Sequence, residues 1–151
     1  MPRFWLDAFT AESWDETRAH GFRVLGFHKS RHLMVRRMEK GDLVFCWIKG
    51  AHQIVGVVEV SGEPYVANAP AIWGDGLYPE RVPVTPLATC TVDEGYDMTI
   101  ILPRLSFYNP DNMHQTWAHF RGSPNGLEEE DGNLLLDALE ACQSAALKHR
   151  C

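Results

Sequence analysis

The residues of this chain best able to do chemistry gather in two stretches. In residues 61–80, Tyr65, Trp73 and Tyr78 stand among Gly62, Pro64, Pro70, Gly74, Gly76 and Pro79. There Trp73-Gly74-Asp75-Gly76 sets an aromatic face beside a carboxylate acceptor and two glycines, around which a ligand can come close to the backbone. In residues 17–38, Arg18, Arg23, Lys29, Arg31, Arg36 and Arg37 accompany His20, His28 and His32 with no acid among them. Aromatic stacking beside a cationic stripe is the chemistry of gripping a nucleic-acid strand. The alternative for the stripe is a solvated helix face.

Other chemistries lack their residues. His28 and His32 are four apart, as on one helical face, but no third ligand is evident, so neither a metal nor a cofactor is expected. G-x-S-x-G and a phosphate-cradling glycine loop are missing. The four cysteines, Cys46, Cys90, Cys142 and Cys151, form no C-x-x-C pair, which points to a reduced compartment and a cytoplasmic location. No apolar run reaches the roughly 18 residues of a membrane span, and an acid, Asp7, interrupts the N-terminus before a signal-peptide core can form. The net charge of −6 argues against indiscriminate nucleic-acid binding. With Glu128, Glu129, Glu130, Asp131, Asp137 and Glu140 crowded near the C-terminus, the basic stripe is a local phosphate footprint on an acidic protein.

The elements that must position these residues follow from pattern. Phe4 to Phe9 reads as a strand. Thr10, or Ser13 with Glu16, caps a helix running to His20 and stopped by Gly21. Phe22 to Phe27 reads as extended, and Ser30 to Met38 as a short basic helix before the Lys40-Gly41-Asp42 turn. Leu43 to Ile48 is continuously apolar, a strand buried on both faces. It forms a hairpin with Ile54 to Val60, where Gly56 marks a bulge or a close backbone approach. Pro83 and Pro86 make Arg81 to Cys90 an edge or a bent strand. Met98 to Leu102 reads as extended, Asn109-Pro110-Asp111 as a helix start, and Gly122 to Gly126 as a loop. Leu135, Leu139, Cys142 and Ala146 mark one face of a final helix. With neither repeat nor linker, the 151 residues are expected to form one domain. The pattern predicts an α+β fold: a small, partly open β-barrel flanked by helices.

The order of several segments carries a resemblance. Phe4-Trp5-Leu6 with Trp14, Lys40-Gly41-Asp42-Leu43-Val44, and Ile54-Val55-Gly56-Val57-Val58-Glu59-Val60 followed by Ser61-Gly62-Glu63-Pro64-Tyr65 resemble EVE domains. So do Tyr78-Pro79-Glu80-Arg81-Val82-Pro83-Val84, Leu105-Ser106-Phe107 and Trp117 to Gly122. The resemblance spans nearly the whole chain. It implies a PUA-like barrel similar to the YTH domains, which read N6-methyladenine in RNA, and so a non-catalytic pocket for a flipped or single-stranded base of DNA or RNA, including a modified one. The likeness places a base-stacking tryptophan at Trp73. Related domains carry a tryptophan near Leu25; in this chain Phe27 or His28 would take over the stacking. Asp7 or Thr10 would meet the base edge and Asp75 would offer an acceptor. Lys29, Arg31, Arg36 and Arg37 would meet phosphate. As a loop residue, Trp73 is expected to matter less to the core than Trp47. The neighbouring ASCH branch holds amidohydrolases that use a lysine and a glutamate, so Lys29 with Glu59 or Glu63 would be the pair if the chain were an enzyme acting on a modified base or nucleoside.

Overall fold

The computed structural model describes residues 2–121 and 123–150, with side chains described as far as Glu140. Strand β1, Phe4–Phe9, leads into helix α1, Ala11–Ala19. Thr10 accepts from the Ser13 N–H and Ser13 Oγ accepts from the Thr10 N–H, both at 3.0 Å, so the cap is Thr10 with Ser13. Gly21 ends the helix at φ 73°. Strand β2 is Val24–Phe27, followed by a 3-10 turn at Lys29–Arg31 and the single turn of α2, His32–Val35. Strands β3, Leu43–Ile48, and β4, Gln53–Val60, form the expected hairpin. Then come β5, Tyr65–Val66; β6, Glu80–Thr89; β7, Tyr96–Asp97; α3, Met98–Ile101; α4, Met113–Ala118; β8, Asn125–Leu127; and α5, Glu129–Arg150.

The sheet runs β2-β6-β4-β3-β1-β8, with β5 on β6 and β7 on β4. It curls into a half-barrel whose two end strands, β2 and β8, stay unjoined. β1 lies parallel to β3, which the sequence pattern did not anticipate, and the other pairings are antiparallel. β6 is the bent strand, and it is no edge: residues 80–83 pair with β2, and the rest with β4. Pro83 and Pro86 cannot donate to a ladder, and the bend hands the strand from one neighbour to the next. At Gly56 a Cβ would stand 2.7 Å from the Ala88 carbonyl oxygen, which explains the glycine as a close approach of β4 to β6.

Both sheet faces are buried. Trp5, Trp14, Leu25, Phe27, Val44 and Val82 pack in one core, with α1 against it. Phe4, Leu6, Phe45, Trp47, Phe120 and Leu135 pack in the other, under α3 to α5. This double burial is why β3 reads as an unbroken apolar run.

Four expectations are corrected. Met98 to Leu102 is helical, because Asp97 accepts from the Thr99 N–H and caps a turn there. The segment expected as a loop at Gly122 to Gly126 carries the start of β8, which zips onto β1 through partners distant in sequence. The basic helix is broken after Arg31 and ends at Val35. The helix expected from Asn109 begins at Met113, capped by Asn112, whose side chain accepts from the Gln115 N–H. Cys142 and Ala146 of the last stripe lie outside the described side chains. Among the described residues, no helix is long and apolar enough to cross a membrane.

Candidate functional site

A cavity of about 260 Å³ lies between the two ends of the sheet. β1 supplies Asp7 and Phe9; β2 and the turn after it supply Gly26, Phe27, His28, Ser30 and Arg31. Lys49 comes from the end of β3, Trp73 and Tyr78 from the long loop, and Ser123 from the segment before β8.

Asp7 shares one face of β1 with Trp5 and Phe9, so it turns toward the core that holds them, and it is only 3% exposed. Burial pushes its carboxyl up to about 8; the Ser123 hydroxyl, the Lys49 ammonium and the Ala8 N–H pull the other way and lose. At neutral pH the group is therefore mostly protonated, with one O–H donor and a carbonyl acceptor. Ser123 Oγ accepts from the Ala8 N–H at 2.8 Å, which ties this segment to β1.

Trp73 is held from three sides. Its indole N–H donates to Thr17 Oγ1 at 2.9 Å, and the next residue's N–H donates to Glu16 at 2.6 Å, so α1 grips the loop. The Arg81 guanidinium lies 5.7 Å from the ring centroid. Arg81 is 1% exposed and donates to the carbonyls of Pro70, Leu77 and Tyr78, clamping the loop at both ends. Tyr78 stands edge-on to Trp73 at 5.7 Å, in a left-handed backbone conformation with φ 48°. Its hydroxyl donates to Asp75 at 2.8 Å. Desolvation and then that bond push its pKa up to about 12, so it stays a neutral phenol. A side chain on Gly26 would overlap the indole, so β2 can pass beside Trp73 only as glycine.

Arg31 spans the gap between the sheet's ends. Its Nε donates to the Ser123 carbonyl at 3.1 Å and its Nη2 to the Pro124 carbonyl at 3.0 Å. His28 caps the 3-10 turn, its Nδ1 accepting from the Ser30 N–H.

The structure thus places Trp73, Phe27, His28, Asp7 and Arg31 around one cavity. Phe27 is 2% exposed and belongs mostly to the core. Thr10 and Asp75 stand outside the lining, the first in the α1 cap and the second on the Tyr78 hydroxyl. Lys29 is exposed between the lining residues His28 and Ser30. Arg36 is exposed and donates to the Pro64 carbonyl at 3.2 Å; Arg37 is exposed, and its carbonyl faces the Arg3 guanidinium at 3.5 Å. Leu25 is fully buried and does not line this cavity. Trp73 is as buried as Trp47, 5% against 6%, but α1, Gly26 and Arg81 enclose it, whereas Trp47 packs within one of the two cores. The sequence pattern drew attention to Tyr78 without placing it at the pocket, and it gave no role there to Lys49, Arg81 or Ser123. Tyr78 was legible as an aromatic two residues after Gly76; the other three had no local signal.

The model of the EVE domain family matches residues 3–119. The chain belongs to the EVE domain family. Among curated proteins, a sequence search finds no match. Solved structures share the fold at low identity. The EVE domain here is similar to Rpa0253 from Rhodopseudomonas palustris, with 18% identity, 90% of this chain and 92% of that one covered, and a TM-score of 0.59. It is also similar to the YTH domain of Zygosaccharomyces rouxii MRB1 in complex with N6-methyladenosine RNA, with 13% identity, 93% and 86% covered, and a TM-score of 0.65. The Pho92 YTH domain in complex with m6A gives 14% identity, 90% and 82% covered, and a TM-score of 0.66. The half-barrel of this EVE domain is therefore the PUA-like fold that YTH domains share.

Proposed function

We propose that this EVE domain is a non-catalytic nucleic-acid binding module that takes one flipped or single-stranded base, plain or modified, into the cavity. The observation that carries the reading is the convergence of Trp73, Asp7 and Arg31, from segments far apart in the chain, on one half-open cavity. The RNA and m6A complexes of the similar YTH domains support a nucleic-acid ligand. The volume of about 260 Å³ is below the roughly 300–1,000 Å³ of pockets for drug-sized ligands. It suits one base rather than a run of nucleotides.

The energetics are consistent. Extruding a base costs a few kcal/mol, and stacking on an aromatic such as Trp73 recovers about 1–3 kcal/mol. A methyl group buried against the aromatic wall adds roughly 0.8 kcal/mol. A protonated Asp7 can pair with both an acceptor and a donor on the base edge. A base that leaves those groups unpaired loses about 1–3 kcal/mol, and discrimination arises there.

The test is fluorescence anisotropy with single-stranded DNA and RNA nine-mers that differ at the central base: ordinary, methylated or abasic. One base should bind at least about tenfold tighter than the abasic strand. Trp73→Leu should erase about 1–3 kcal/mol of that preference, in protein shown to be folded by circular dichroism. Affinity indifferent to the central base would refute the reading.

One observation favours a second reading. Asp7 is a buried acid with its pKa near 8 beside Lys49, a perturbed group of the kind that moves protons in enzymes. The domain would then act on a modified base or nucleoside in the manner of ASCH amidohydrolases, using Asp7 and Lys49. Lys29, Glu59 and Glu63 do not line the cavity. Mass spectrometry of modified nucleosides incubated with the protein decides between the two: turnover lost in Asp7→Asn establishes the enzyme.

A further inference from the structure

Resting on the base-pocket reading above, we propose that the cavity takes neutral bases and turns away bases that are cationic at neutral pH, such as N3-methylcytosine or N1-methyladenine. The reason is the distribution of charge around it. Arg31 and Lys49 line the cavity, and Arg81 lies over the Trp73 ring without joining the lining. Asp7 is the one carboxyl in the lining.

Among the described residues, none of the three cations is neutralised by an ion pair; the single salt bridge there joins His32 to Glu80. Arg31 and Arg81 make their hydrogen bonds to backbone carbonyls, which carry no net charge. Glu16 on α1 and Asp75 in the Trp73 loop sit outside the lining and accept from the Gly74 N–H and the Tyr78 hydroxyl. Burial also keeps Asp7 protonated near neutrality, so it offers a cationic base little opposite charge.

Arg81 acts through Trp73. A cation over an indole draws on the ring's electron-rich faces. A second cation stacked on the same ring finds that attraction already engaged and meets repulsion through it. A neutral base stacks there without penalty. Unit charges within about 10 Å, at an effective dielectric near 20, repel strongly enough to weaken binding on the order of tenfold for each charge. The same charges favour the phosphates that flank a neutral base.

The experiment uses a pair of bases with nearly the same shape and different charge. N3-methylcytosine is cationic and N3-methyluracil is neutral, and both carry a methyl group on the same ring nitrogen. Otherwise identical single-stranded nine-mers with each at the centre compete against a labelled nine-mer carrying N6-methyladenine, at pH 6.5. The N3-methyluracil strand should compete at least about tenfold better than the N3-methylcytosine strand. Lys49→Glu, at an exposed residue that leaves the core intact, should narrow that gap severalfold. Equal competition by the two strands, at whatever level, overturns the inference, and so does a gap that Lys49→Glu leaves unchanged. Failure of the pocket reading looks different: folded Trp73→Leu protein would bind the labelled strand as tightly as the parent, and both proposals would fall together.

Discussion

Asp7 shows how one buried side chain sets both chemistry and stability. Its carboxyl has an ordinary value of 3.8 and is pushed up to about 8 in the fold, with desolvation the dominant cause. Between those values the folded chain holds a proton that the unfolded chain releases. Stability from this group is therefore fully present below about pH 4 and declines as the pH rises toward about 8, by on the order of 5 kcal/mol when no other group compensates. Urea denaturation of the parent between pH 5 and 9 should show that decline. In Asp7→Asn the decline should be much shallower, since the amide does not titrate. A parent curve as flat as the variant's would mean that Asp7 titrates at its ordinary value and that the cavity is wetter than its burial indicates.

At the level of elements, α5 and β1 depend on one missing side chain. Gly132 lies in the first turns of α5, and a Cβ there would overlap the Phe4 ring, which stacks on Phe45 at 6.0 Å. Propensity alone favours Gly132→Ala by about 1 kcal/mol in a helix interior. Forcing a methyl group into a packed core costs typically about 1–3 kcal/mol, and the overlap here is with a ring that has little room to move. The clash should win. Gly132→Ala should lower the thermal midpoint, and Gly132→Ala with Phe4→Leu should recover part of the loss. A single variant more stable than the parent would mean that α5 can lift off β1 at little cost. Nearby, Asp131 is buried and accepts from the Ser106 N–H at 2.7 Å and from the Ser106 hydroxyl at 2.5 Å, which fixes the start of the helix to the loop before α4.

For the whole molecule, the question is how a chain of net charge −6 holds a polyanion. The proposed answer is local: Lys29 is exposed beside the cavity lining, and Arg36 and Arg37 are exposed along the same segment. Arg31 differs from these three, because its guanidinium already ties the ends of the half-barrel together. Reversing Lys29, Arg36 and Arg37 to glutamate should weaken nucleic-acid binding for every sequence alike. It should also make the slope of log affinity against log salt shallower by roughly 0.7–0.9 for each phosphate that the protein no longer neutralises. Reversing Arg31 should in addition lower the thermal midpoint. An unchanged slope in the triple variant would reduce the stripe to a solvated surface.

Much of this was legible in the chain itself, because it depends on neighbours in sequence. The run Leu43 to Ile48 could satisfy its apolar side chains only as a strand buried on both faces, and it is one. Gly21 and Thr10 mark helix ends through the backbone conformation and hydrogen bond each provides on the spot. Gly56 announces a close approach, and β6 makes it. The aromatic–glycine–acid loop pointed to Trp73, which the structure sets in the cavity wall. What the sequence could not decide depends on contacts across long separations. The same pattern allows Met98 to Leu102 to be strand or helix, and the cap at Asp97 chooses. Whether Thr10 or Asp7 faces the cavity turns on the pleat of β1 and on the helix cap, which claims Thr10 and leaves Asp7 inside. The closeness of Lys49, Arg81 and Ser123 to Trp73 and Asp7 has no trace in local composition. It follows from the parallel pairing of β1 with β3, the bend of β6 and the Arg31 bridge, and a charge's meaning here depends on which buried ring or carboxyl the fold brings beside it.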